Sequence, residues 1–257
     1  MTIAGIILAA GKGTRLKIKG KNKVALPFLS KPMVIYGVEL LAKITSVQIV
    51  VVGTFAHSVK EVLHDHKVIY AYQNKRLGTA HAVKTALREI HKRKLNPDHV
   101  LVGYGDHTMF YKKETIIELI ELHSSEKAEI SLLTTTCEDP NQLAWGRIVR
   151  SPDGLIKAII EQKDADEETR KIKEVNPGFY CFNFDFLERN ISKIKKSAVS
   201  HEYYLTDLIA IANQQGQKVV GLKIPFSGVG IGINRFSELE ESQRLYVESK
   251  KGAADEI

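Results

Sequence analysis

The chain has little of what marks a disulfide scaffold, a membrane protein or a repeat array. Its 257 residues hold two cysteines, Cys137 and Cys181, far apart and in no CxxC or metal-ligand spacing. Both are expected to serve core packing in a reducing, cytoplasmic setting. The opening MTIAGIILAAGKG has no basic residues ahead of its apolar run, and that run is too short to span a bilayer. Export and membrane insertion are therefore not expected. No internal repeat, low-complexity tract or flexible linker is present. His57, His64 and His66 in HSVKEVLHDHK stand in no HExxH-like cluster, so a zinc site is not expected there. A net charge of +7 would suit a nucleic-acid binder, but the basic residues are spread out with little aromatic interleaving. Small anionic substrates are the expected partners, not nucleic acid or membrane.

Apolar residues make up 44% of the chain, enough for a sizeable core, and their order points to a fold class. The runs TIAGIILAA, VQIVVVGT, VIYAYQ and HVLVGYGD alternate with the helix-period segments VIYGVELLAKI, HSVKEVLHDH, AHAVKTALREIHKR and KETIIELIELHSSE. Strand then helix, repeated, predicts an α/β fold: a mostly parallel sheet with helices on both faces. After EISLLTTTC the rhythm changes to WGRIVRS, LIKAIIEQ and GFYCFNF, separated by turn signals such as Ser151-Pro152-Asp153-Gly154. This half is expected to continue the sheet and add an antiparallel layer as the other wall of a cleft. A single domain over 1–257 is predicted, with halves at about 1–110 and 111–235, a charged amphipathic helix at about 236–251, and a frayed tail in GAADEI.

The most specific stretch is LAAGKGTRL, residues 8–16. Leu8, Ala9 and Ala10 end a buried strand, and open parallel sheets hold ligands at the carboxyl ends of their strands. Gly11 and Gly13 remove side chains that would keep phosphates or a flat base from the backbone amides. Arg15 and KIKGKNK then supply positive charge. No lysine precedes Thr14, as a Walker A loop requires, and Leu16 stands where GxGxxG has its third glycine. The plain alternative is an ordinary βα turn with solvated lysines.

Other constellations carry paired readings. In VGYGDHTMF, Asp106 ends a strand, where a carboxylate can hold magnesium on phosphates or merely cap the next helix. In QNKRLGTAHAV, Gln73 has the donor and acceptor that a pyrimidine edge requires, and Gly78 and Thr79 open a helix that Thr79 could simply cap. Glu161 in IIEQKDA and Asn176 in EVNPGFY suit sugar hydroxyls, the alternative for Glu161 being a surface salt bridge. Tyr203 and Tyr204 read first as core.

Taken in order, LAAGKGTRL, KVALPFLSKPM, QNKRLGTAHAV, YGD, WGRI, IIEQKDA, EVNPG, EYYLTDLIA and GIN resemble the bacterial sugar-1-phosphate nucleotidyltransferases. The likeness is greatest to the uridylyltransferase half of the bifunctional N-acetylglucosamine-1-phosphate enzymes. It implies a Rossmann-like fold of the nucleotide-diphospho-sugar transferase type, its first half for nucleotide and its second for sugar phosphate. It also implies that the loop from Leu8 to Arg15 receives UTP, that Gln73, Gly78 and Thr79 read uracil beside Tyr104 and Gly105, and that Lys23 contacts phosphate. Asp106 and Asn234 would hold Mg2+, with Gly146, Glu161, Asn176 and Tyr204 toward the sugar; Arg15, Lys23 and Asp106 would be the catalytic set. The products would be a UDP-sugar and pyrophosphate.

The sequence also departs from that family. Pro177 replaces a threonine, GDHTMF replaces GDVPL, Lys23 follows Asn22 where proline is usual, and Arg235 replaces a small residue. These changes bear on the acceptor side and the entrance loop. No hexapeptide repeats occur, so acetyl transfer is not expected, and the expected state is a monomer or weak homo-oligomer. Gln73 leaves cytosine open, so a cytidylyltransferase for another phosphorylated acceptor is one alternative. A silent nucleotide-sugar sensor is another, against which Arg15, Lys23, Asp106 and Asn234 argue.

Overall fold

The computed structural model describes residues 1–11, 13, 20–233 and 235–252. Arg15, Thr14, Asn234 and the tail beyond Gly252 lie outside them. The first half follows the predicted alternation: β1 (Ile3–Ala9), the short hairpin of β2 (Pro27–Phe28) and β3 (Lys31–Pro32), α1 (Met33–Ala42), β4 (Val47–Val52), α2 (Ala56–Val62), β5 (Ile69–Tyr72), α3 (Thr79–Lys92), β6 (His99–Tyr104) and α4 (Lys113–Ser125). The second half contains β7 (Ile130–Thr136), β8 (Gly146–Arg150), β9 (Ile156–Ile160), α5 (Glu167–Arg170), β10 (Glu174–Asn176), β11 (Phe179–Asn183), α6 (Phe184–Asn190), α7 (Asp207–Gln214), β12 (Val219–Lys223) and α8 (Phe236–Gly252).

These strands form a 10-stranded sheet ordered β5-β4-β1-β6-β11-β7-β10-β8-β9, with β12 parallel to β7. Strands β5, β4, β1 and β6 run parallel, so their carboxyl ends share one edge. Alternate residues of each strand feed opposite cores. Ala4, Ile6, Ile49, Val51, Val100 and Val102 pack toward α3, α6 and α7, while Ile7, Val50, Val52 and Leu101 pack toward α1, α2 and α4. Among the described residues no helix is long and apolar enough to cross a membrane.

One segment sits elsewhere than its rhythm suggests. GFYCFNF does not join the antiparallel layer of β8 and β9; as β11 it inserts antiparallel between β6 and β7. The run Phe179, Tyr180, Cys181 and Phe182 is buried throughout, as a central strand with both faces covered requires. Its neighbour β10 pairs with the end of β7 and with β8. Pro177 and Gly178 interrupt the chain between the two. Gly178 holds φ +85°, and a Cβ there would lie 2.4 Å from the Tyr104 ring. The C-terminal helix α8 is anchored by Tyr246, whose ring meets Phe110 and Phe28 edge-on at 5.3 and 5.5 Å.

Candidate active site

Three hollows open beside the carboxyl ends of β1 and β6, and Thr79 lines all of them. One of about 280 Å³ is bordered by Leu8, Ala10, Gly11, Gln73, Arg76 and Gly78. A second, about 210 Å³, lies over Ala9, Asn22, Lys23 and Asp106. A third, about 540 Å³, is walled by Lys23, Tyr104, Glu161, Lys163, Glu202 and Tyr204.

Backbone at Gly11 and Gly78 meets the side chains of Gln73, Arg76 and Glu202 in the first hollow. Gly78 holds φ +107°, and a Cβ on it would fall 2.4 Å from the Tyr203 carbonyl oxygen, so only glycine lets α3 start there. Ala80 N–H donates to that carbonyl at 3.0 Å. Thr79 Oγ1 accepts from Leu205 N–H at 2.9 Å, so Thr79 joins two segments and does not cap its own helix. Gly105 N–H donates to the Leu8 carbonyl at 3.0 Å, closing the ends of β6 and β1 together. Gln73, 5% exposed, donates from Nε2 to the Gly78 carbonyl at 3.1 Å and to His81 Nδ1 at 3.0 Å. Burial, then the cations Arg88 and Lys84, hold His81 below the usual imidazole range, so its neutral ring can accept. Gln73 thereby has both amide hydrogens engaged, and its Oε1 is the group left for a ligand.

Asn22, noted from sequence only as a departure, holds the loop from below. Its side chain is buried, with Nδ2 3.0 Å from the Ala9 carbonyl, 2.9 Å from Gly11 and 3.1 Å from Thr54. Its Oδ1 accepts from Val24 N–H at 3.2 Å, and its own N–H donates to Ser58 Oγ at 2.9 Å. One amide thus joins the end of β1, the glycine loop and the turn before α2, and caps the 3-10 turn Lys23–Ala25 that presents Lys23. An asparagine among lysines looks solvated in sequence, and nothing in GKNK signals its burial. Gly13 lies against this turn, where a Cβ would stand 3.0 Å from Lys23 Cβ.

Asp106 follows β6 and pairs with the Lys23 ammonium, which also donates to the Ile233 carbonyl at 2.8 Å. Burial pushes the Asp106 carboxyl up, but the charge and hydrogen bond of Lys23 outweigh this and hold it below the usual carboxylate range. The carboxylate therefore serves an ion pair and not a helix cap. Two hard oxygens, the Asp106 carboxylate and the Ile233 carbonyl, already gather about a cation here. That donor set is the kind magnesium takes.

The third hollow is walled by side chains. Asn176 stands opposite Gly146 in the β10–β8 register. A Cβ on Gly146 would lie 2.4 Å from Ile159 Cγ2 and 3.6 Å from Glu161 Cδ, so the fold brings Gly146, Asn176 and Glu161 together. The Asn176 amide is drawn inward, however. Its Nδ2 donates to the Tyr180 hydroxyl at 2.7 Å and its Oδ1 accepts from Gly178 N–H at 3.1 Å, bridging the break between β10 and β11. Tyr180 in turn lies 3.4 Å, hydroxyl to hydroxyl, from Tyr104 on the cavity wall. Glu161 is no surface salt bridge: it accepts from Thr206 Oγ1 at 2.9 Å. Burial, aided by the carboxylates Asp207, Asp164 and Glu202 and opposed by the Thr206 bond, raises it to about 7. Tyr204 donates to Asp164 at 3.3 Å and, chiefly through burial, is raised to about 12.

Two departures from the family pattern prove to be neighbours. His107, from GDHTMF, donates from Nδ1 to the Pro177 carbonyl at 2.6 Å, and the Tyr111 hydroxyl donates to the same oxygen at 3.3 Å. The His107 ring lies 4.6 Å from that of Trp145.

The profile described as nucleotidyl transferase matches residues 4–228. The chain belongs to the nucleotidyl transferase family. It is 42% identical over 236 residues to the bifunctional protein GlmU of Caldicellulosiruptor saccharolyticus, covering 91% of this chain and 50% of that relative. It is 40% identical over 245 residues to the GlmU of Acetivibrio thermocellus, covering 95% and 51%. The chain thus spans about half the length of these family members. Solved structures share its fold at low identity. A UDP-glucose pyrophosphorylase complexed with UDP-glucose superposes with a TM-score of 0.75 at 18% identity, covering 96% of this chain and 99% of the other. A Bacillus anthracis protein provisionally assigned as a glucose-1-phosphate thymidylyltransferase does so with a TM-score of 0.73 at 22% identity, covering 95% of each.

Proposed function

We propose that the chain transfers a uridylyl group from UTP to a sugar-1-phosphate, N-acetylglucosamine-1-phosphate or a related hexose-1-phosphate, giving a UDP-sugar and pyrophosphate. The observation that carries the choice of base is the orientation of Gln73. Its amide hydrogens are taken by Gly78 and His81, so its oxygen is the atom it can offer to a base. Uracil presents an N3–H donor to such an acceptor, whereas cytosine presents a lone pair there. The names of the structural neighbours, both concerned with hexose nucleotides, support a sugar phosphate as acceptor.

In this reaction an oxygen of the sugar phosphate attacks the α-phosphorus of UTP, and the bond from that phosphorus to the bridging oxygen breaks to release pyrophosphate. The nucleophile is already an anion, so no general base is required; positioning and charge neutralisation do the work. Lys23 lines both the second and third hollows, where it can offset the repulsion between the two phosphates. Arg15, from the loop, is assigned to the triphosphate. Asp106 and Asn234 would hold a magnesium ion, which when bound offsets phosphate charge. Glu161 and Tyr204 line the same cavity as Lys23 and would orient sugar hydroxyls.

Incubation with UTP, magnesium and N-acetylglucosamine-1-phosphate, with the products resolved by mass spectrometry, tests the proposal. A UDP-sugar with equimolar pyrophosphate is expected. Recovery of intact UTP with that acceptor and with every other hexose-1-phosphate overturns it.

A further inference from the structure

We propose that His99, His123 and Cys181 form a binding site for a thiophilic divalent cation, with zinc as the reference ion, on one face of the sheet and away from the cleft. The sheet brings the three together. His99 and Leu101 lie on the same face of β6, and Cys181 of β11 stands in register with Leu101. α4 packs over that face and carries His123. The donor atoms of the three side chains all lie within 4.8 Å of one another, the one such grouping among the described residues. It lies apart from the histidine-rich run at 57–66.

Two features mark this as more than close packing. His99 Nδ1 and His123 Nε2 are buried with no hydrogen-bond partner, an arrangement that costs free energy unless something takes their lone pairs. His123, 1% exposed, has its other nitrogen, Nδ1, 2.7 Å from Ser131 Oγ. With Nδ1–H donating to Ser131, the lone pair of Nε2 points free, the way an outer hydrogen bond fixes the tautomer of a metal-bound histidine.

The chemistry narrows the cation. Donors around zinc stand roughly 3.5 Å apart, so from separations of up to 4.8 Å the three side chains close in by at most about 1.3 Å. Burial holds both imidazoles in the neutral, ligating form, His123 down to about 4 with His99 adding to the effect. Burial also raises the Cys181 thiol, so binding must displace a proton: the S–H bond breaks, a metal–sulfur bond forms, and one proton passes to solvent. Only a cation with strong affinity for thiolate offsets that cost, which selects zinc-like ions over magnesium. The start of β6 is on the order of 20 Å along the strand from Asp106, so the ion would clamp α4, β6 and β11 without meeting substrate.

The full chain, stripped with chelator, is titrated with Co2+ as the spectroscopic probe. Saturation at one equivalent with a sulfur-to-cobalt charge-transfer band is expected, displaced by zinc, kept in Cys137→Ser and lost in Cys181→Ser. Ser131→Ala and His99→Asn, with folding checked by circular dichroism, should each weaken binding about tenfold or more; these two decide the matter if Cys181→Ser does not fold. No sulfur band in the folded wild type, an unchanged band in Cys181→Ser, or unchanged affinity in both His99→Asn and Ser131→Ala overturns the proposal.

Discussion

On the side of β1, β5 and α3 the cleft wall rests on main chain at Gly11 and Gly78, where no side chain intervenes, with Gln73, held by its neighbours, and Arg76 as its polar side chains. On the side of β9 and the segment before α7 it consists of side chains that titrate or donate, Glu161, Glu202 and Tyr204, with Tyr104 from the end of β6 beside them and Asp164 and Thr206 behind. A main-chain wall presents the same groups whatever side chains surround it, and its accuracy depends on what holds it, here Asn22. A side-chain wall can be retuned residue by residue. Substitutions on the two sides should therefore separate by substrate.

The largest effect belongs to the residue at the junction. Asp106→Ala should lower kcat by about 10²–10³ or more with both substrates, while circular dichroism stays native because Lys23 keeps the Ile233 carbonyl; normal turnover would remove the junction from the account. Next is Asn22→Ala, which strips buried carbonyls of their donor. A stability loss of about 1–3 kcal/mol is expected by urea unfolding, with KM rising for UTP and nearly constant for the acceptor. Equal shifts in both constants would break the division between the walls. His107→Val removes one of two donors to the Pro177 carbonyl. It should raise the acceptor KM by up to about tenfold and leave the UTP KM alone, the mirror image of Asn22→Ala.

The smallest and sharpest test is a pH profile. Glu161 titrates near 7 in the folded chain against 4.5 as an ordinary glutamate. Its carboxylate form, the stronger acceptor for a sugar hydroxyl, therefore fills as pH rises through 7. kcat/KM for the acceptor should climb across that window, and Glu161→Gln should remove the Glu161 inflection, leaving only that of the sugar phosphate. Folding favours the protonated form, so its stabilisation is complete below about pH 4.5 and lost as pH rises through 7. Glu161→Gln should accordingly gain more Tm relative to wild type at pH 8 than at pH 5. Coincident profiles for the two proteins would contradict the assignment.

The side of β1, β5 and α3 was legible because its signals are local. Apolar runs of period 2 and 3.6 place β1 through α4, and Gly11, Gly78 and Asp106 stand at element ends, where position alone locates them. The side of β8 to β11 was less so because its signals are long-range. GFYCFNF reads as one more short strand, and only burial on both faces sends it between β6 and β7. His107 and Pro177 appear as unrelated departures until the fold sets them 2.6 Å apart. Asn22 shows the same limit within the legible half: three carbonyls from three segments decide its importance, and no spacing in the sequence encodes their meeting.

The measurement that bears most directly on the central claim is pyrophosphate release with UTP against CTP, at fixed magnesium and sugar-1-phosphate, expressed as the ratio of kcat/KM. An acceptor-only Gln73 facing the base predicts a clear UTP preference in the wild type. Equal use of the two nucleotides, or a preference for CTP, would contradict the reading of the nucleotide wall.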